Sequence, residues 1–170
     1  MASFHHRDPG LVGLLSSVCL EGKPCFYGII ADGIHTHPAA LRMAYQTNFP
    51  SLCLVTDAIC AMGLPDGLYC LGPNPVEVKG ERATIVGTDI LGGAIATLWK
   101  CVQNMIQGAR CSLVEALEAA SLHPAQAIGI QHKKGSLDYG TDADFIMIDQ
   151  DKMSIESTWI AGEKVYSASD

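Results

Sequence analysis

The run Ser51-Leu52-Cys53-Leu54-Val55-Thr56-Asp57-Ala58 limits the folds open to this chain more than any other stretch. Four consecutive apolar residues without polar alternation suit a strand buried on both faces, as in a parallel sheet covered by helices. An acid at the carboxyl end of such a strand stands where α/β enzymes gather their catalytic groups. Asp57 is therefore the first candidate for chemistry. The alternative is that it caps the turn leading to Gly63.

A second apolar run, Cys25–Ala31, repeats the pattern and ends in Asp32-Gly33-Ile34-His35-Thr36-His37-Pro38. Pro38 suits the first position of a helix, which the sequence carries on for about ten residues through Arg42 and Tyr45. His35-x-His37 has the spacing of a metal pair when it lies on a strand. Here it follows a glycine and precedes a proline, so it falls in a loop. His35 as a ligand for substrate and His37 as the helix cap fit that position better.

At the N-terminus, His5 and His6 are adjacent and would face opposite sides of a strand, a poor chelating pair. Arg7 precedes the turn signal Asp8-Pro9-Gly10 and is suited to hold a phosphate or carboxylate. Leu11–Leu20 is a short helix or loop. Cys60–Pro75, rich in Gly and Pro, reads as a long irregular connection. Val76–Val86 alternates about Lys79-Gly80, as in a hairpin or two short strands. The segment Gly87–Gly93 leads to a helix expected over Ala94–Gln107 and closed by Gly108. Gly92-Gly93 would then offer bare N–H groups at the helix start. Ser112-Leu113-Val114-Glu115 is a capping box opening another helix. That helix stops at His123-Pro124, with one further turn closed by Gly129, and His123 is a cap or core residue. Lys133–Gly140 is a polar connection. Asp144–Asp149, Ile155–Ala161 and Val165-Tyr166 read as β-strands.

Composition narrows the class. The 170 residues suffice for one sizeable core, burying roughly 70% of the unfolded surface. The chain is 48% hydrophobic but carries no apolar run long enough for a membrane span. Eleven basic against 18 acidic residues give a net charge of -7, and no basic stripe stands out, which argues against a nucleic-acid partner. No secretory signal pattern opens the sequence. Seven cysteines, with Cys25, Cys53 and Cys101 inside apolar segments, read as buried thiols in a reducing compartment. The expectation is a soluble cytoplasmic α/β protein.

Four segments together carry a resemblance: Arg7-Asp8-Pro9-Gly10, Asp32-Gly33-Ile34-His35, Val55-Thr56-Asp57-Ala58 and Leu91-Gly92-Gly93. In this order the chain resembles the N-acetylglucosamine-6-phosphate deacetylases of the amidohydrolase superfamily, of animal type by Phe4-His5-His6-Arg7-Asp8-Pro9-Gly10. Ala119-Ala120-Ser121-Leu122-His123-Pro124-Ala125 and Gly140-Thr141-Asp142-Ala143-Asp144-Phe145 are similar to the closing segments of that superfamily. The resemblance covers essentially all of the chain. It implies an α/β fold, the C-terminal part of a (β/α)8 TIM barrel of the metallo-dependent hydrolases, plus strands of a small β-sandwich. Residues 1–135 would belong to the barrel and 136–170 to the sandwich.

The same resemblance implies the chemistry. Asp57 matches the catalytic aspartate, which takes a proton from a metal-activated water attacking the acetamide and passes it to the leaving amine. His35, with Asp32, Gly33 and Ile34, matches one substrate-binding segment, and Leu91, Gly92 and Gly93 match another, with Gly92 where the family usually has serine. Arg7 matches an arginine that binds the sugar phosphate across a homodimer interface. The family's cofactor is a divalent metal ion, zinc in this reading. Its ligands, a glutamate and two histidines, match nothing in this chain, and the Asn-Ala pair that helps hold the substrate would precede Met1. His37 matches no metal ligand. Two alternatives stand beside this reading: an inactive truncated fragment lacking the metal ligands, and an amidohydrolase acting on a cyclic amide.

Overall fold

The computed structural model describes residues 4–16 and 24–168. At its centre β1 (Tyr27–Ile30) and β2 (Leu52–Val55) form a parallel pair, with Tyr27 opposite Leu52 and Ile30 opposite Val55. Leu52, Cys53 and Leu54 are buried, as an uninterrupted apolar run requires, whereas Val55 already reaches the surface. The segment Cys25–Ala31, expected to be equally enclosed, is only partly buried over β1, because among the described residues β2 is its one strand neighbour.

Helix α1 (Pro38–Asn48) connects the two strands, and the His37 ring accepts the Ala39 N–H at 3.1 Å, so His37 is the helix cap. At the other end Tyr27 holds the last turn, its hydroxyl shared between the carbonyls of Ala44 and Asn48 at 2.9 and 3.1 Å. Burial pushes that hydroxyl up to about 12. Helix α2 (Leu98–Ala109) begins at a Thr97 cap and ends on Arg110 in the left-handed region (φ 57). This corrects the expected Ala94–Gln107 helix and its Gly108 end. Gly108 lies inside α2, where a Cβ would stand 3.4 Å from Leu41 and Pro38, so its role is to let α1 approach. Residues 90–97 form no helix: the Ile90 carbonyl, the Gly92 N–H and both backbone groups of Ala94 are bonded to Ile85, Ala83, Asp57 and Ile59 instead.

The capping box opens α3 (Leu113–Ala120) as the spacing requires, and α4 (Leu122–Ala127) follows. Glu115 of that box also accepts the Tyr45 hydroxyl at 2.7 Å, joining α3 to α1. The core is Leu41, Ala44, Leu52, Leu54, Cys101, Val102, Met105, Ala116 and Ala119, drawn from α1, α2, α3 and β2. Among the described residues the six cysteines are free thiols.

Two antiparallel sheets flank this unit. The first comprises β3 (Gly67–Leu71), β4 (Asn74–Lys79) and β5 (Arg82–Ile85). Strand β3 occupies the stretch expected to be an irregular connection: Gly72-Pro73 is a tight turn, and the hairpin buries Val76, Val78 and Ala83. The Gly and Pro content signalled the turn but hid the strand before it. The second sheet comprises β6 (Phe145–Asp149), β7 (Ser154–Ile160) and β8 (Glu163–Ser167), as the sequence pattern requires. Trp99 and Gln103 of α2 both donate to the Met153 carbonyl in the β6–β7 turn, at 3.0 and 2.9 Å. Lys134 pairs with Asp142 at 2.8 Å and with Asp144, closing the polar connection. Near the N-terminus Gly10–Leu15 is a 3₁₀ helix, and the rest of the stretch to Leu20 is described only at Ser16. His5 and His6 lie in a turn with ring centroids 4.4 Å apart, so they do not splay as they would on a strand.

His123 is a core residue rather than a cap. It is 5% exposed, and its Nδ1 bonds the Leu52 carbonyl at 2.8 Å. His123→Leu keeps the bulk but removes that hydrogen bond at the start of β2. The expected loss in urea denaturation is about 1–3 kcal/mol.

Candidate active site

The parallel pairing of β1 and β2 brings two acids to one edge. Two residues beyond the paired Ile30 and Val55 stand Asp32 and Asp57. Asp57 is exposed and holds φ +52, a left-handed conformation uncommon outside glycine. Such strained positions cluster at functional sites. The turn-cap reading of Asp57 fails on its hydrogen bonds. The Ala58 N–H lies 3.4 Å from the Thr56 hydroxyl, and among the described residues the Asp57 carboxylate has no hydrogen-bond partner or cation. A carboxylate left open on a rigid strand end is free to take and give a proton.

Asp57 is fixed through its main chain. Its carbonyl accepts the Ala94 N–H at 3.0 Å, and Ile59 donates to the Ala94 carbonyl at 2.9 Å, a parallel bridge between Ala58 and Ala94. Gly93 (φ +122) is required at this crossing, because a Cβ would meet the Ile59 side chain at 2.5 Å and the Asp57 carbonyl at 3.4 Å. Gly92 donates to the Ala83 carbonyl at 2.9 Å, and Leu91 bridges Thr84. Leu91-Gly92-Gly93 thus stitches the β3–β5 sheet to the strand carrying Asp57. The expectation of bare N–H groups at a helix start is corrected: the helix begins at Leu98, and the Gly92 amide is already bonded.

Asp32 is 7% exposed and accepts from three groups. Its Oδ1 takes the N–H of Ile34 and of His35 at 2.9 and 2.8 Å, and its Oδ2 lies 2.6 Å from His35 Nδ1. Burial works to raise the Asp32 carboxyl, but the His35 ring and the two backbone N–H groups together hold it below its ordinary value. Gly33 (φ +81) makes the turn between them. Asn104, which no sequence motif marked, donates from Nδ2 to the Ala31 carbonyl at 2.9 Å and anchors the loop to α2. Its signal was slight: a lone amide on the helix face that also carries Cys101 and Met105.

Asp57 and Leu91–Gly93 are joined directly, and Asp32–His35 stands beside them by register. Arg7 is not brought into the group. It lies in the His5–Asp8 turn, its N–H bonded to His5 Nδ1 at 3.3 Å, and among the described residues nothing links it to the other candidates. Nor do three His, Cys, Asp or Glu side chains among the described residues converge on a possible metal position.

A family model, the amidohydrolase family, matches residues 24–165, and the chain belongs to that family. The family is in general one of metal-dependent hydrolases. The N-acetylglucosamine-6-phosphate deacetylase of Mus musculus is 53% identical over 171 residues, covering 100% of this chain and 42% of its own length. The chain thus spans about two fifths of that relative. A protein of Escherichia coli K12, named a putative N-acetylgalactosamine-6-phosphate deacetylase, is 34% identical, with 96% of this chain and 94% of its own length covered. A solved mutant N-acetyl-D-glucosamine-6-phosphate deacetylase from Mycobacterium smegmatis, in complex with N-acetyl-D-glucosamine-6-phosphate, superimposes with a TM-score of 0.87 at 31% identity. That match covers 98% of this chain and 43% of the other. The fold class is accordingly α/β, part of the amidohydrolase TIM barrel with small antiparallel sheets attached. Among the described residues no helix is long and apolar enough to cross a membrane.

The Asp32 carboxyl predicts an acid dependence. Its value is lowered on folding, so its stabilisation is complete above the ordinary value of 3.8 and is lost as pH falls through the folded value. In acid titrations followed by circular dichroism, Asp32→Asn should flatten that part of the stability loss.

Proposed function

We propose that this chain is the C-terminal part of an N-acetylglucosamine-6-phosphate deacetylase, which hydrolyses its substrate to glucosamine 6-phosphate and acetate. The observation that carries the reading is Asp57: an unpaired carboxylate in a left-handed turn at the end of a buried strand, held by main-chain bonds to the Gly93-Ala94 segment. As water attacks the acetamide carbonyl carbon, Asp57 accepts its proton. When the C–N bond breaks, the proton passes to the amine nitrogen, leaving acetate and the free amino sugar. His35 and Leu91–Gly93 hold the sugar on either side. Arg7 binds the 6-phosphate, and a guanidinium without a hydrogen-bond or ion-pair partner among the described residues fits a site completed across a homodimer.

The divalent ion of such enzymes, zinc in this reading, does not fit the residues described, among which no three His, Cys, Asp or Glu side chains converge. Residues 136–170, which hold β6–β8, are assigned to a small domain apart from the barrel portion at 1–135, and the buried free thiols favour a cytoplasmic setting. Metal analysis and turnover of the longest natural form test the reading.

Asp57→Asn in the complete enzyme keeps the shape but cannot carry the proton. Substrate binding should persist while kcat falls by about 10²–10⁴-fold; a stable mutant turning over at the wild-type rate rules Asp57 out. Arg7→Ala should raise KM by roughly tenfold to a hundredfold for the phosphorylated sugar and far less for N-acetylglucosamine. Equal losses on both substrates remove Arg7 from the phosphate site.

A further inference from the structure

We propose that Asp32 is the positioning residue for His35: it fixes the ring proton on Nδ1 and so presents Nε2 to the substrate. This rests on the reading of His35 as a substrate ligand. The Asp32 side chain is 4% exposed and that of His35 20%, so the acid lies beneath the ring and the ring reaches the site edge. An ionised carboxylate only accepts hydrogen bonds, so at 2.6 Å the proton between the two groups belongs to Nδ1. The bond made by one imidazole nitrogen decides the state of the other. Among the described residues no bond is made by Nε2, which leaves it as the nitrogen available to a ligand.

The second oxygen of the same carboxylate settles where the ring stands. By taking the N–H groups of Ile34 and His35, Asp32 fixes the backbone from which the imidazole springs. Asn104 holds the preceding carbonyl, at Ala31, from the helix side. Loop and ring are thus referred to a single buried acid, whose depressed carboxyl keeps it an acceptor near neutral pH. Free rotation of the ring would cost part of the affinity of each substrate bound.

The test uses the complete enzyme labelled with 15N-histidine, with the His35 signals identified by their loss in His35→Gln. The wild type should show a protonated Nδ1 and an unprotonated Nε2 in the neutral ring. In Asp32→Asn the amide oxygen can still take both backbone N–H groups, which turns the amide nitrogen, a donor, toward the ring. The ring proton should then move to Nε2, and KM should rise about tenfold with kcat little changed. Combined with His35→Gln, Asp32→Asn should add nothing further, since its effect passes through the ring. A wild-type ring protonated on Nε2, or one unaltered by Asp32→Asn, overturns the proposal without need of any variant activity. Additive losses in the double mutant overturn the positioning role alone. A His35→Gln enzyme with unchanged KM overturns it together with the substrate reading on which it rests.

Discussion

The burial of Leu52, Cys53 and Leu54 is the constraint on which the rest of the structure depends. Three consecutive side chains of one strand can all leave water only if both faces of the sheet are covered. Helices α1, α2 and α3 supply the core around Leu52 and Leu54, and β1 supplies the hydrogen-bonding edge. Burial there stabilises the unit by about 25 cal/mol per Å² of apolar surface. It also fixes the direction in which the chain emerges at Val55, and so the place of Asp57.

From that strand outward, polar groups are satisfied by partners distant in sequence. His123 secures the start of β2, Tyr27 the end of α1, and Tyr45 the capping acid of α3. These bonds lie on the side away from the carboxyl ends of the strands and keep the frame rigid. On the other side Asp57 is strained at positive φ, while Gly33 and Gly93 take positive φ where glycine allows it. Strain of this kind persists only where the surroundings over-determine it, and the bonds of Ala94 to Asp57 and Ile59 do so here.

Much of this was legible in the residues. The apolar run ending in Asp57, the His37 cap with Pro38, the Ser112–Glu115 box and the closing strands each carry a local signal of type and spacing, and each is found in place. Strand β3 was not legible, since its partner β4 lies beyond a Gly-Pro turn and only pairing makes Gly67–Leu71 extended. The helix expected from Ala94 failed for a related reason. Ala94–Ala96 has adequate helix propensity, but Gly93-Ala94 is drawn into bonds with Asp57 and Ile59, and tertiary contacts override propensity. The family resemblance placed the Asp32–His35 segment and Leu91–Gly93 among the candidates without saying what each side chain touches.

The sequence by itself determined that a doubly buried strand exists and that an acid follows it. These depend on patterns within a few residues, which periodicity and motif spacing record. Only the tertiary structure decided that Asp57 is left open while Asp32 is engaged, that Gly92 and Gly93 serve a strand crossing rather than a helix start, and that Asn104 anchors the loop. The Gly93 crossing and the Asn104 anchor turn on a close approach or a hydrogen bond between residues far apart in the chain, 73 positions for Asn104 and Ala31, and Asp32 is engaged because the Gly33 turn brings the Ile34 and His35 N–H groups back onto it; periodicity and motif spacing record neither.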